Sequence, residues 1–139
     1  MYLFKQKLNL ADLAGLTILP KRILIYEPET YLAALYAHYL RLHNFDIKHC
    51  PDLRGIHQLI LSFQPHLLIF CADDHKIAAE FPGLVLSLSR RFPDLHFLAT
   101  GYNLSHQGIK ELMSAGVQSH LNRRLCRPQD IVHIVETLL

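Results

Sequence analysis

Four apolar runs of this 139-residue sequence lead into side chains that could do chemistry. A carboxylate follows the first run, and the others lead into a thiol with two carboxylates, a hydroxyl and a guanidinium. In open α/β sheets, ligands and chemistry sit just beyond the carboxyl ends of the strands, so these groups decide the function. Carboxylates hold divalent cations, thiols can be reactive, and a guanidinium pairs with anions. The residues are Glu27, Cys71, Asp73, Asp74, Thr100 and Arg123.

The run that ends at Cys71 is the one around which the rest of the chain is organised. Residues 66–71 read His-Leu-Leu-Ile-Phe-Cys after Pro65, and two carboxylates follow almost at once. A short apolar run between a proline and a polar break is typical of a strand that is buried on both faces.

Strand-like and helical patterns alternate after residue 20. Apolar strands that alternate with helices indicate a parallel sheet covered on both faces, with right-handed crossovers. The class is therefore α/β, a flavodoxin-like doubly wound (βα)5 fold with a five-stranded parallel sheet in the order 2-1-3-4-5. A dinucleotide-binding fold is excluded because residues 27–29, Glu-Pro-Glu, offer no glycine-rich loop. The predicted strands are 21–26, 45–49, 66–71, 95–100 and 117–121, and the predicted helices are 31–43, 51–63, 77–92, 103–114 and 128–138.

Residues that break or cap helices locate the start of two of the predicted helices more closely. Pro82 and Gly83 interrupt the third, so that its start lies either at Ile77 or after Phe81. Ser105 is a candidate N-cap for the fourth.

The chain divides into an N-terminal extension, residues 1–20, and one domain, residues 21–139. Gly15 and Pro20 break the chain between them. We expect the extension to be an arm on its own domain, with a dimer contact or a linker remnant as alternatives. It lacks the continuous apolar core of a signal peptide, and no stretch approaches the length of a membrane span.

Composition narrows the class of function. A formal net charge of +2 without a long basic run gives no reason to expect nucleic-acid binding. Three unpaired cysteines predict reduced thiols and a cytoplasmic location. Ten histidines without H-x-x-x-H spacing predict no metal site. No cofactor motif, nucleophile elbow or phosphate-binding loop is present in the sequence, so we predict a protein that is not an enzyme.

Several local patterns together resemble a bacterial response-regulator receiver domain over residues 21–139. Each pattern is weak alone, and their order and separations make the resemblance more specific. The patterns are Lys-Arg-Ile-Leu-Ile at 21–25, Gln-Pro-His-Leu-Leu-Ile-Phe at 64–70, Phe-Leu-Ala-Thr-Gly at 97–101, Met-Ser-Ala-Gly-Val at 113–117 and His-Leu-Asn-Arg at 120–123.

The resemblance implies a phosphate-accepting pocket at the strand ends. In the family, two acidic residues after the first strand hold Mg²⁺, and an aspartate that ends the third accepts the phosphoryl group. A hydroxyl that ends the fourth strand and a lysine after the fifth bind that group. By this resemblance, the acidic pair falls on Glu27 and Pro28, the acceptor on Cys71, the hydroxyl on Thr100 and the lysine on Arg123.

Two alignments of the pocket stay open. Arg124 takes the lysine position if the following Arg-Pro is aligned without a gap. Asp73 becomes the acceptor if the third strand extends by two residues, and Glu29 could then replace part of the metal site. His120 falls on the aromatic position of the fifth strand that reports phosphorylation in the family.

Structural roles also account for the same residues. A cysteine at the end of a buried strand is most often an inert apolar residue, although Arg123 and nearby helix N-termini could lower the thiol pKa of Cys71. Thr100 and Glu27 could be capping residues, and His120 a half-buried surface residue. Arg123 could fill the vacated pocket as a salt bridge to Glu27, Asp73 or Asp74.

The sequence therefore predicts a phosphorylation-independent pseudo-receiver, a signalling module that has lost its phosphoacceptor. Its partner would be a protein of a signalling pathway, or a second copy, bound through the face of the fourth helix, fifth strand and fifth helix. The alternatives are a small-molecule or redox sensor centred on Cys71, and an atypical receiver phosphorylated at Asp73. The expected face consists of Ile109, Leu112, Met113, His120, Arg127, Asp130 and His133.

Overall fold

The computed structural model describes residues 19–73 and 80–139. Residues 1–18 of the expected extension, Asp74 and the expected start of a helix at Ile77 lie outside this range. Within it, the strands are β1 (Arg22–Tyr26), β2 (Asp46–Cys50), β3 (Leu67–Cys71), β4 (His96–Gly101) and β5 (Ser119–Asn122). The helices are α1 (Thr30–Leu42), α2 (Ile56–Phe63), α3 (Phe81–Arg91), α4 (His106–Ala115) and α5 (Ile131–Leu138), and a 3₁₀ turn (Pro128–Asp130) precedes α5.

The five strands form one parallel sheet in the order β2-β1-β3-β4-β5. This is the doubly wound order predicted from the sequence, and the fold class is confirmed. β3 lies at the centre and is buried along its whole length. β2 lies at an edge and alternates between buried and exposed residues, as its sequence pattern predicts.

Successive strand residues point to opposite faces of the sheet and fill two separate cores. Leu68 and Phe70 of β3 pack with residues of α2, α3 and α4. Leu67 and Ile69 pack with residues of α1 and α5. The sheet is covered on both faces, and the central strands β1 and β3 are almost entirely buried along their length.

Several predicted boundaries shift by a few residues. α2 begins at Ile56, later than predicted, because Gly55 has a left-handed backbone (φ 71°) that ends the preceding loop. α3 begins at Phe81, with a proline in its first turn where the missing N–H costs nothing. Ser105 caps α4 as predicted, and its hydroxyl accepts a hydrogen bond from the N–H of Gly108 at 2.9 Å.

Over residues 19–73 and 80–139, every helix is too short or too polar to cross a membrane.

Candidate functional site

The sheet ladder brings four loops together at the carboxyl edge. Cys71 of β3 is paired with Thr100 of β4, and Gly101 with Asn122 of β5. Hydrogen bonding continues one residue further, because the N–H of Arg123 donates to the carbonyl of Gly101 at 2.9 Å. The residues that follow β1, β3, β4 and β5 therefore meet in one place, as expected for a doubly wound sheet.

A buried ion pair closes the centre of this site. The Arg123 guanidinium donates a hydrogen bond to the carboxylate of Glu27, and the two side chains are 7% and 3% exposed. Glu27 also accepts the backbone N–H of Glu29 at 2.9 Å. Of the two alignments of the lysine position, the structure places Arg123 inside the pocket.

For each residue of this pair, burial shifts the pKa one way and the neighbouring opposite charge shifts it the other way. Burial raises the pKa of Glu27, while the N–H of Glu29 and the charge of Arg123 oppose that rise. Burial alone would lower the pKa of Arg123, but the acidic groups around it, Cys71, Glu27, Tyr36 and Asp73, raise it. Arg123 is therefore charged, and it depends on Glu27 for a buried counterion.

Two hydroxyl groups complete the inner layer of the pocket. Thr100, fully buried at the end of β4, accepts a hydrogen bond from Arg123 at 3.4 Å. Tyr36 of α1 is buried next to the guanidinium, and burial raises its pKa to about 12 although Arg123 opposes the rise. Arg123 is thus the cationic hydrogen-bond donor to the hydroxyl of Thr100.

Asp73 does not extend β3, which ends at Cys71. Its carboxylate accepts the backbone N–H of Tyr102 at 2.8 and 3.0 Å and that of Asn103 at 3.1 Å. The Arg123 guanidinium lies 3.7 Å from the same carboxylate. Asp73 is therefore a hydrogen-bond acceptor for the backbone of the loop that follows β4.

Arg124 lies outside the pocket and holds the other side of that loop. Its Nε donates to the carbonyl of Tyr102 at 2.9 Å, and a terminal nitrogen donates to Asn103 Oδ1 at 2.9 Å. The guanidinium of Arg123 lies 5.2 Å from the ring centroid of Tyr102, within the range of a cation–π contact.

Cys71 has the properties of an inert thiol. It is 6% exposed, and burial raises its pKa. A backbone hydrogen bond at Asp73 and the charge of Arg123 oppose that rise, while the charge of Glu27 adds to it. The expected lowering of the thiol pKa is wrong, because loss of hydration outweighs the attraction of the guanidinium. The redox-sensor alternative depended on a lowered thiol pKa, so the raised pKa gives it no support.

As far as residues 19–73 and 80–139 form it, the pocket does not fit Mg²⁺, which prefers several oxygen ligands. After β1, Glu27 is committed to Arg123, and Pro28 is exposed and supplies no ligand. Across residues 19–73 and 80–139, no three histidine, cysteine, aspartate or glutamate side chains lie close enough to hold a metal ion.

The expected interaction face is wrong at one residue. Leu112 is buried against the core between α3 and α4, so it is not a surface residue. Arg127 and Asp130 pair with each other at 3.2 Å and cap the turn before α5, and both stay at the surface. His120 is exposed rather than half-buried. The exposed or partly exposed positions of the face are Ile109, Met113, His120, Arg127, Asp130 and His133.

The sequence reasoning missed two residues of the site, Tyr36 and Tyr102, and the role of a third, Asp73. Tyr36 belongs to the apolar pattern of α1, and nothing in that pattern marks its buried hydroxyl. Tyr102 and the role of the Asp73 side chain depend on how two loops meet across the sheet. A partial signal was Gly101, since a glycine directly after a strand suggests close approach by another group.

The structure is similar to response-regulator receiver domains. A response regulator from Thermotoga maritima gives a TM-score of 0.78 at 12% identity, over 86% of this chain and 98% of that chain. An orphan response regulator of H. pylori gives 0.74 at 14% identity, over 84% and 94%. A protein described as an atypical orphan response regulator with a phosphorylation-independent regulatory mechanism gives 0.72 at 14% identity, over 84% and 92%.

The protein therefore has the CheY-like receiver fold, and the resemblance to receiver domains is confirmed at the level of the fold. No protein-family model and no curated protein matches the sequence.

Proposed function

We propose that this protein is a pseudo-receiver, a signalling module that works without phosphorylation and acts by binding a protein. The observation that carries the proposal is the buried Arg123–Glu27 ion pair in the pocket, beside a cysteine at the position of the acceptor.

The receiver reaction needs an acceptor carboxylate, a carboxylate free to bind a metal ion, and the metal ion itself. The thiol of Cys71 offers no carboxylate for an acyl phosphate. A cation that approached Glu27 would have to displace Arg123, which is held by Glu27 and by the hydroxyl of Thr100. A phosphoryl group would then meet a site with no metal ion to neutralise its charge.

The ion pair also supplies a reason for a single conformation. A receiver that responds to phosphorylation needs two states that the covalent mark can bias. Here the loops after β1 and β5 are joined by a fixed Arg–carboxylate contact without any ligand. The output would then depend on the concentrations of the protein and its partner.

One of the structural neighbours lends support by analogy. It is described as an atypical orphan response regulator with a phosphorylation-independent mechanism, and its TM-score is 0.72. At 14% identity the likeness concerns the fold.

We place the binding surface on α4, β5 and α5, as the receiver resemblance implies. The available side chains are Ile109, Met113, His120, Arg127, Asp130 and His133. Met113 is 45% exposed and supplies an adaptable apolar contact. We infer a protein partner or a second copy of this chain, with no enzymatic reaction and no direct contact with nucleic acid by this domain.

The test is an amide NMR titration of the protein with Mg²⁺ alone and then with Mg²⁺ and beryllofluoride, a mimic of an acyl phosphate. We expect no saturable shifts, because Cys71 cannot hold the mimic. A matched control is the triple variant Pro28→Asp/Cys71→Asp/Arg123→Lys, which restores the family's groups and should respond.

Saturable shifts of the unmodified protein near Glu27, Thr100 and Arg123 would overturn the proposal. If those shifts disappeared in Asp73→Asn, they would identify Asp73 as the phosphoacceptor of an atypical receiver. Shifts with Mg²⁺ alone would identify a metal site instead.

A further inference from the structure

The two residues that follow Gly101 are held from opposite sides. Asp73 accepts the N–H groups of Tyr102 and Asn103, and Arg124 donates to the Tyr102 carbonyl and the Asn103 side chain. We call residues 102–103, together with the side chains of Asp73 and Arg124 that bind them, the 102–103 clamp. It lies between β4 and α4, so it sets how the chain enters α4.

The anionic side of the clamp is a built binding site for a carboxylate. Two adjacent backbone N–H groups point at the same oxygen atom, Asp73 Oδ1, at 3.0 and 3.1 Å. The guanidinium of Arg123 lies 3.7 Å from Oδ2. Hydrogen bonds of this kind to an ionised acceptor are stronger than neutral ones.

The backbone makes room for this anion at Gly101. A Cβ atom at that position would lie 2.5 Å from Asp73 Oδ1 and 3.0 Å from the side chain of Leu104. The carboxylate therefore lies directly against the backbone, where a residue with a side chain would keep it away.

We propose that Asp73 is a tethered anion that locks the loop between β4 and α4, and that a free carboxylate can take its place when it is removed. The inference deepens the proposed function and rests on it, since it assigns the regulation of the vacated pocket to a side chain of the protein. The lock fixes the Tyr102 ring, which is 47% exposed, and the start of α4 next to the proposed binding face.

The experiment compares Asp73→Ala with the unmodified protein by NMR hydrogen exchange at Tyr102 and Asn103. Loss of a charge-assisted acceptor should speed exchange at both amides by about tenfold. Sodium acetate, added at constant ionic strength, should slow that exchange again in a saturable way and shift both amides. Sodium chloride at the same ionic strength should do neither.

Two further variants serve as a second test of Asp73 and as a control. Asp73→Asn keeps the shape and an acceptor oxygen but removes the charge, so it should speed exchange by less than Asp73→Ala and should not respond to acetate, because its side chain still fills the site. Its faster exchange tests the lock if the alanine variant does not fold. Asp52→Ala removes a carboxylate that bonds to Arg54 on the surface, and it should leave exchange at residues 102–103 unchanged.

Unchanged exchange at Tyr102 and Asn103 in a folded Asp73 variant would overturn the lock. Faster exchange in Asp73→Ala that acetate does not reverse would overturn the anion site. Neither result bears on beryllofluoride binding by the unmodified protein, so this inference and the proposed function can fail separately.

Discussion

The two ends of the same sheet are held by different kinds of interaction. At the carboxyl edge, a buried ion pair and the Asp73 carboxylate join the loops. At the amino edge, neutral groups join them, together with the Arg22 guanidinium, which donates to the carbonyl of Gln64 at 2.8 Å. The N–H of Arg22 donates to His66 Nδ1 at 3.0 Å, the N–H of His66 donates to the carbonyl of Arg22 at 2.7 Å, and the N–H of Phe97 donates to Gln118 Oε1 at 2.7 Å.

The interactions at the amino edge belong to the scaffold, and those at the carboxyl edge belong to the candidate site. Neutral hydrogen bonds at the amino edge satisfy backbone groups and contribute to the stability of the scaffold. A buried charge pair contributes little net stability compared with apolar residues, yet removing one partner is costly. The carboxyl edge is therefore the end where a single substitution has the largest effect, and where one conformation is specified most sharply.

The largest expected effect comes from Arg123→Ala. The substitution leaves Glu27 buried without its counterion, so we expect the free energy of unfolding to fall by about 3–5 kcal/mol. Urea denaturation followed by circular dichroism measures it. Arg124→Ala, a change at the neighbouring exposed arginine, should cost less than about 1.5 kcal/mol.

A second substitution at Glu27 sharpens this prediction. The double variant Glu27→Gln/Arg123→Ala leaves no buried charge, so it should be more stable than Arg123→Ala alone. If the double variant were the less stable of the two, the cost would arise from packing and not from an unpaired carboxylate.

A smaller effect is expected from Gly101→Ala. The added methyl group meets Asp73 Oδ1 and Leu104, and overpacking of this kind costs about 1–3 kcal/mol in free energy of unfolding. In an Asp73→Ala background the same change should cost less, because one of the two clashes is gone. Additive costs in this double-mutant cycle would show that Asp73 and residue 101 are not in contact.

The smallest effect is expected at the amino edge, on the pH dependence of stability. Burial, with the charges of Arg22 and Lys21, lowers the pKa of His66 below its usual 6.5. Its neutral ring accepts the N–H of Arg22, so the contribution of His66 is present above pH 6.5 and is lost as pH falls through the folded-state pKa.

The measurement compares denaturation at about pH 7.5 and about pH 5.5, on either side of the ordinary histidine pKa. His66→Asn keeps an acceptor that does not titrate, and it should lose less stability on acidification than the unmodified protein. His106→Asn, a change at an exposed histidine of α4, is the control. Equal losses in all three proteins would assign the pH dependence to other groups.

Much of the scaffold follows from local sequence. The uniform apolar run before Cys71 predicts a central strand, and the alternation of residues 45–49 predicts an edge strand. Ser105 predicts the start of α4 through its capping hydroxyl. These features depend on periodicity and on contacts between residues that are close in the chain, which a single sequence displays directly.

The site could be predicted only in part. The sequence by itself aligned Cys71 and Pro28 with two carboxylates of the receiver pattern, and this assignment stays a prediction. It did not determine that Leu112 is buried, or that Arg127 and Asp130 satisfy each other.

Only the tertiary structure decided how the pocket is filled. Arg123 reaches a carboxylate 96 residues away in the chain, and Asp73 accepts amide groups about 30 residues further on. Which carboxylate each cation meets depends on the register of parallel strands and on the depth of each side chain. The sequence offered Glu27, Asp73 and Asp74 as partners of Arg123 without ranking them, and the structure confirms the contact with Glu27 and places Asp73 further away, at 3.7 Å. Parallel pairing brings distant segments together, so the amide partners of Asp73 could not be read from its neighbours in the chain.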